Sequence, residues 1–128
     1  MNRRYPDLEF LITKEGAEKY FRSVGYKLPP EKELPLSYYS CLREGEFKVF
    51  RDLQVELKQL LHVSQLYTYF THVCIGDVIT SKVKIAKINS RKLGGELVVF
   101  IELHNQYFKR GELAADVSGS VIVRELQG

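Results

Sequence analysis

Two stretches decide the fold: Val78-Ile-Thr-Ser-Lys-Val-Lys-Ile-Ala-Lys-Ile88 and, after Gly94-Gly95, Glu96-Leu-Val-Val-Phe-Ile-Glu-Leu-His104. In the first, Ile79, Val83 and Ile85 share one face and Lys82 and Lys84 the other, which is the period of two expected of a half-buried strand. The second is apolar on most of both faces and reads as a buried strand, joined to the first by a Gly94-Gly95 hairpin turn. Upstream, Leu61 to Val73 is rich in Val, Tyr, Thr and Phe and ends near a Gly76-Asp77 turn. Downstream, a loop around Lys109, Arg110 and Gly111 leads to Leu113–Leu126, where Ala115, Val117, Gly119, Val121 and Val123 alternate with Asp116, Ser118, Ser120 and Arg124. Four consecutive strands with short connections predict an antiparallel sheet.

The first half is helical in part. Thr13 stands as an N-cap before Lys14–Val24, Gly25 is the stop, and Ala17, Tyr20, Phe21 and Val24 form one apolar stripe. Pro29, Pro30 and Pro35 make 26–35 a connecting loop, because proline fixes φ and lacks the amide that a helix or central strand needs. Leu36–Leu42 is expected to be a second, buried helix, and 46–61 a wrapped segment with a turn of helix and no dominant period. The class expected is α+β, a single domain over residues 1–128.

Composition sets the outer limits. With 128 residues, 45% hydrophobic and 27% charged, the chain has the makeup of one globular domain. Nineteen Lys and Arg against sixteen Asp and Glu give a net charge of +3 without a basic block, which argues against nucleic acid as partner. No apolar run approaches the roughly 20 residues of a membrane span, and Met-Asn-Arg-Arg-Tyr-Pro-Asp lacks the apolar core of a signal peptide, so no membrane association and a cytoplasmic location are expected. Cys41 and Cys74 are too few for a disulfide scaffold, and with His72 and His104 they show no metal-ligand spacing; no metal and no cofactor are expected.

The order of Thr13-Lys-Glu-Gly-Ala-Glu-Lys-Tyr-Phe-Arg-Ser-Val-Gly25, Leu61-His62-Val-Ser-Gln65, Ile75-Gly76-Asp77-Val78 and Gly111-Glu-Leu-Ala-Ala115 resembles the hot-dog fold of the MaoC-like hydratase/dehydratase superfamily. Within it, the chain is most similar to the N-terminal-type, non-catalytic half of the (R)-3-hydroxyacyl dehydratases. The resemblance implies a long antiparallel sheet wrapped around a central helix. Active members carry Gly-Asp-x-Asn-Pro-x-His, whose acid and imidazole move the proton while backbone amides polarise the thioester carbonyl. Here that loop reads Gly25-Tyr26-Lys27-Leu28-Pro29-Pro30-Glu31, with Tyr26 for Asp, Leu28 for Asn and Glu31 for His. None of Asp7, Asp52, Asp77 and Asp116 has a His five residues later.

The resemblance therefore implies a catalytically silent subunit that binds the acyl chain and pairs with an active MaoC-like hot-dog subunit, or with itself. Its ligand would be the acyl part of a thioester on coenzyme A or acyl carrier protein. Tyr38, Tyr39 and Cys41 are the candidate chain-binding residues; core packing is the competing reading of the two tyrosines. Tyr67, Tyr69 and Phe70 are read either as a docking patch or as core, and Lys82, Lys84, Lys87, Arg91 and Lys92 as a steering surface for an anionic carrier or a solvated face. Two other functions stay open. One is a hot-dog thioesterase using Glu31 or Glu44, the other a homo-oligomeric acyl-thioester-binding protein without catalysis.

Overall fold

The computed structural model describes residues 3–28, 33–55 and 60–124. Strands β1 (Arg3–Arg4) and β2 (Leu8–Leu11) precede helix α1 (Lys14–Ser23), a 3-10 helix (Leu36–Cys41) and helix α2 (Glu44–Asp52). Strands β3 (Leu60–Tyr69), β4 (Val78–Leu93), β5 (Glu96–Lys109) and β6 (Glu112–Arg124) complete the chain. All pairings are antiparallel, in the order β1-β4-β5-β6-β3, with β2 also on β4. With α2 against β4 and β5, this is the α+β hot-dog arrangement.

The expected alternation holds along the central strands and explains one irregularity. Ile79, Val83 and Ile85 are buried, and a bulge between Ile85 and Lys87 shifts the parity so that Ile88, not Lys87, returns to the core. The pairing of β4 with β5 runs from Ile79↔Lys109 to Leu93↔Glu96, so both strands continue beyond the ends read from sequence. Strand β3, in contrast, ends at Tyr69, short of Val73. Residues 3–11, in which no element was expected, supply two short strands on the outer edge of β4.

Helix α1 starts as expected, with the Thr13 hydroxyl accepting from the Gly16 amide at 3.0 Å. It closes on Gly25, at φ +84°, where the Tyr26 amide donates to Phe21 O at 2.8 Å and the Gly25 amide to Arg22 O at 3.1 Å. That is a Schellman closure, which places glycine at the left-handed position.

The helices after the proline loop correct the reading. Leu36–Cys41 is a single 3-10 stretch, started by Pro35 and bringing Tyr38 and Tyr39 inward. The helix lying on the sheet is α2, inside the segment that had shown no period. Its buried stripe is Gly45, Glu46, Val49 and Phe50, whose first turn is not apolar, so a hydrophobic period was absent although the geometry is helical. Gly45 is where helix and sheet come closest: a Cβ there would lie 2.7 Å from Val83 Cγ2 and 3.3 Å from Ser81 Oγ.

Two apolar clusters make the core. One gathers Ile12, Ala17, Leu34, Tyr39, Ile79, Tyr107 and Val117 under α1 and the 3-10 helix; the other gathers Val49, Phe50, Ile85, Ile101, Leu103 and Val121 under α2.

Candidate functional site

Strand β5 points Ile101, Leu103, Asn105 and Tyr107 inward in succession, so a polar side chain arrives where apolar neighbours lead. Asn105 is 1% exposed and fully engaged. Its Oδ1 accepts from Ser81 Oγ at 2.8 Å, and its Nδ2 donates to Glu46 Oε2 at 3.1 Å and to Tyr107 Oη at 2.9 Å. Glu46, 5% exposed on the first turn of α2, receives Arg43 Nη2 on its other oxygen at 3.2 Å. Tyr107 donates to the Leu42 carbonyl at 2.9 Å, and the Arg43 guanidinium lies 5.3 Å from the Phe47 ring centroid.

This cluster fixes the start of α2 on the sheet, and it neutralises its own charge. Both carboxylate oxygens of Glu46 accept a hydrogen bond inside the cluster, one from Arg43 and one from Asn105. Burial, reinforced by Glu46, drives the Tyr107 hydroxyl far above the ordinary tyrosine range, and Tyr107 stays a neutral donor. The cluster is a structural clamp between α2 and the sheet.

An aromatic row leads out from it. Tyr107 faces Tyr39 at 5.2 Å between centroids, Tyr39 stacks on Tyr69 at 5.7 Å, and Tyr69 stacks on Tyr67 at 5.8 Å. Tyr39 donates to Thr71 O at 2.9 Å, and burial, helped by the Asp77 charge, pushes its hydroxyl up to about 12. Tyr67 and Tyr69 are half-buried on β3, the end strand of the sheet, and burial is the main cause raising both hydroxyls.

The residues singled out from sequence are dispersed. Tyr26 is 72% exposed, whereas Leu28 packs against the first apolar cluster. Glu31, with Pro29 and Pro30, lies outside the described residues, and so does the side chain of His62. Tyr38 and Tyr39 are buried, and Tyr38 meets Tyr20 edge-on at 5.3 Å; Cys41 faces solvent and is a free thiol, as is Cys74. Glu44 is exposed and paired with Arg51. His72 bonds the Leu34 carbonyl through Nδ1 at 3.0 Å. Phe70 is exposed just past β3, unlike Tyr67 and Tyr69. Lys82 is paired with Asp7 at 2.7 Å; Lys87, Arg91 and Lys92 are exposed along β4. Among the described residues, no three His, Cys, Asp or Glu side chains are grouped to hold a metal, and no helix is long and apolar enough to cross a membrane.

Two acid–imidazole pairs form among the described residues: His72 Nδ1 lies 3.7 Å from Glu33 Oε1, near the chain surface, and His104 Nε2 bonds Asp116 Oδ1. The second is the hydrogen-bonded one. It joins β5 to β6 from the outward positions flanking Asn105 and Val117, so it lies on the face of the sheet away from α2. Five-residue spacing could not reveal it, because the two come together across strands. Sequence reading also ended β5 at His104 and so missed Asn105 and Tyr107. Extending the alternation of Val99, Ile101 and Leu103 by two steps is the signal that finds them.

A family model described as FAS1-like, dehydratase domain region matches residues 9–117. Comparison with curated proteins finds no significant match. Among solved structures, the C-terminally truncated HadBC (3R-hydroxyacyl-ACP dehydratase) complex from Mycobacterium tuberculosis is similar at TM-score 0.67 and 19% identity, covering 95% of this chain and 94% of that one. The ChsH1-ChsH2 complex from the same organism is similar at TM-score 0.71 and 10% identity, over 98% of this chain and 86% of that one. A hypothetical protein from Staphylococcus aureus in complex with CoA is similar at TM-score 0.65 and 14% identity, over 95% and 75%.

Proposed function

From the premise that the chain belongs to the FAS1-like dehydratase-region family, we propose that it is a non-catalytic hot-dog subunit of an (R)-3-hydroxyacyl-thioester dehydratase. Its expected roles are to bind part of the acyl chain and to complete an active partner subunit. The observation that carries this reading is the inner face. The described loop positions hold Tyr26 and Leu28, and the buried carboxylate nearest the start of α2 is paired with Arg43 and hydrogen-bonded by Asn105. A hydration needs one group to move a proton and another to orient water; of the acid–imidazole pairs among the described residues, His104–Asp116 is on the opposite face, and His72–Glu33 is exposed with its Nδ1 already bonded to Leu34 O.

Two of the similar structures are two-component complexes by name, and a third holds CoA, which supports a partner subunit and a thioester ligand. We assign the acyl-chain wall to the 3-10 helix and the row beside it. Tyr39 is a member of the row, Tyr38 lies beside it on the 3-10 helix against Tyr20, Cys41 is exposed at the end of that helix, and Tyr67 and Tyr69 stand on the end strand that a partner would cover. The test is hydration of a short enoyl-CoA by the purified chain alone and after co-expression with a MaoC-like subunit carrying intact Gly-Asp-x-Asn-Pro-x-His. Turnover is expected only in the second case, and robust turnover by the chain alone would overturn the assignment.

A further inference from the structure

The outer face of the sheet carries a hollow of about 240 Å³ that no part of the proposed dehydratase role uses. Its walls come from β1 (Arg4), the connection after it (Tyr5, Asp7), β4 (Lys82, Lys84) and β5 (His104, Gln106). The charges around it do not cancel. Lys82 is matched by Asp7 at 2.7 Å and His104 by Asp116, whereas Arg4 and Lys84 have no anionic partner among the described residues. Lys84 and His104 are directly opposed across β4 and β5, so both project from neighbouring positions on one face. Tyr5 is anchored by its hydroxyl to Asp52 at 2.9 Å and by its amide to Val83 O at 3.0 Å, which fixes that wall.

Asp116 engages Nε2 of His104, and Nδ1 has no partner among the described residues. A ring held this way has one fixed orientation, and Nδ1 is the nitrogen left to meet a ligand. Two unmatched cations and one oriented imidazole, gathered in a concave site, fit a small, doubly negative, multi-acceptor group better than a carboxylate, which carries one charge and two oxygens. Gln106 adds an amide for a further oxygen.

We propose that this hollow binds a phosphate dianion, held by Arg4, Lys84 and His104, with Asp116 as the residue that positions the imidazole. The dianion has two sources of the same chemistry, free phosphate and the terminal phosphate monoester of a cofactor such as coenzyme A. The site lies on the other face of the sheet from the aromatic row and stands independently of the dehydratase assignment.

The experiment is a titration of the full chain, followed by calorimetry and, in chains that keep His104, by its imidazole resonances, with inorganic phosphate, coenzyme A and dephospho-coenzyme A, which lacks the monoester. Saturable movement of the His104 signals is expected, with affinity falling about tenfold in Lys84→Ala and again in His104→Gln, the loss expected for a charge-assisted hydrogen bond. Lys92→Ala, on β4 but not in the walls of the hollow, should bind as the unchanged protein does. Coenzyme A binding at least tenfold above dephospho-coenzyme A identifies the cofactor-borne monoester; phosphate binding with no difference between those two identifies the free ion. Linear, non-saturating shifts, or equal weakening by Lys84→Ala and Lys92→Ala, would refute the site. Hydration by the co-expressed complex is read separately, on the unchanged chain, so failure of either idea leaves the other standing.

Discussion

Asn105 satisfies three partners at once, so its removal reaches further than one hydrogen bond. In Asn105→Ala, Ser81 and Tyr107 lose a partner inside the core, and Glu46 keeps only Arg43. Leaving buried polar groups unpaired costs about 1–3 kcal/mol each, so a destabilisation of about 3 kcal/mol or more is expected in urea unfolding. Asn105→Asp should be worse, because it sets a second carboxylate against Glu46. An unchanged unfolding midpoint in both variants would show that the clamp does not hold the core. Gly45 makes a different demand. Val83 is β-branched and stiff, and the 2.7 Å approach of a Cβ to its Cγ2 forces backbone movement, so Gly45→Ala should cost about 1–3 kcal/mol despite alanine's better helix propensity.

Helix α1 was legible because local chemistry specifies both of its ends. Thr13→Ala should remove the hydroxyl cap at a cost of about 1 kcal/mol. Gly25→Ala should cost about 1 kcal/mol through the left-handed conformation at φ +84°. Thermal midpoints of the two variants and their double test this, and the effects should add, since the ends share no contact. The same cap accounts for Gly25 without any appeal to the loop chemistry of active dehydratases. Helix α2 behaves in the opposite way. Its inward stripe opens on Gly45 and Glu46, and both are favourable there only because Val83 and Ser81 approach the one and Arg43 and Asn105 bind the other. Of those partners only Arg43 lies in the local sequence; Ser81, Val83 and Asn105 do not.

For the whole molecule, the buried tyrosines predict how stability responds to base. The Tyr39 hydroxyl is raised from 10.0 to about 12, so the folded state holds its proton more tightly than the unfolded chain. The stabilisation is complete below pH 10 and is lost as pH rises through about 12, at about 1.4 kcal/mol per pH unit for one group. Tyr107, raised further, adds loss of the same sign in the same window. Urea unfolding at pH 8 to 11.5 should show the decline starting near pH 10, and Tyr39→Phe should make it shallower. A flat profile would contradict the burial of both hydroxyls. In the proposed complex, Tyr69→Ala opens the row beside β3 and should raise KM for long-chain enoyl thioesters more than for short ones, with kcat little changed. Equal effects on both chain lengths would move the acyl path elsewhere.

The sequence by itself determined the four long strands, the closure of α1 and the absence of Asp, Asn and His at the loop positions held by Tyr26, Leu28 and Glu31. Each of these depends on neighbours within a few residues: alternation along a strand, a hydroxyl three residues before an amide, the identity of a side chain in a short motif. Only the tertiary structure decided which helix lies on the sheet, that Glu46 and Asn105 meet across 59 residues, and that His104 and Asp116 pair on the outer face. Those outcomes depend on strand register and on the approach of α2, and register is set by the burial of whole faces at once, which no single segment encodes.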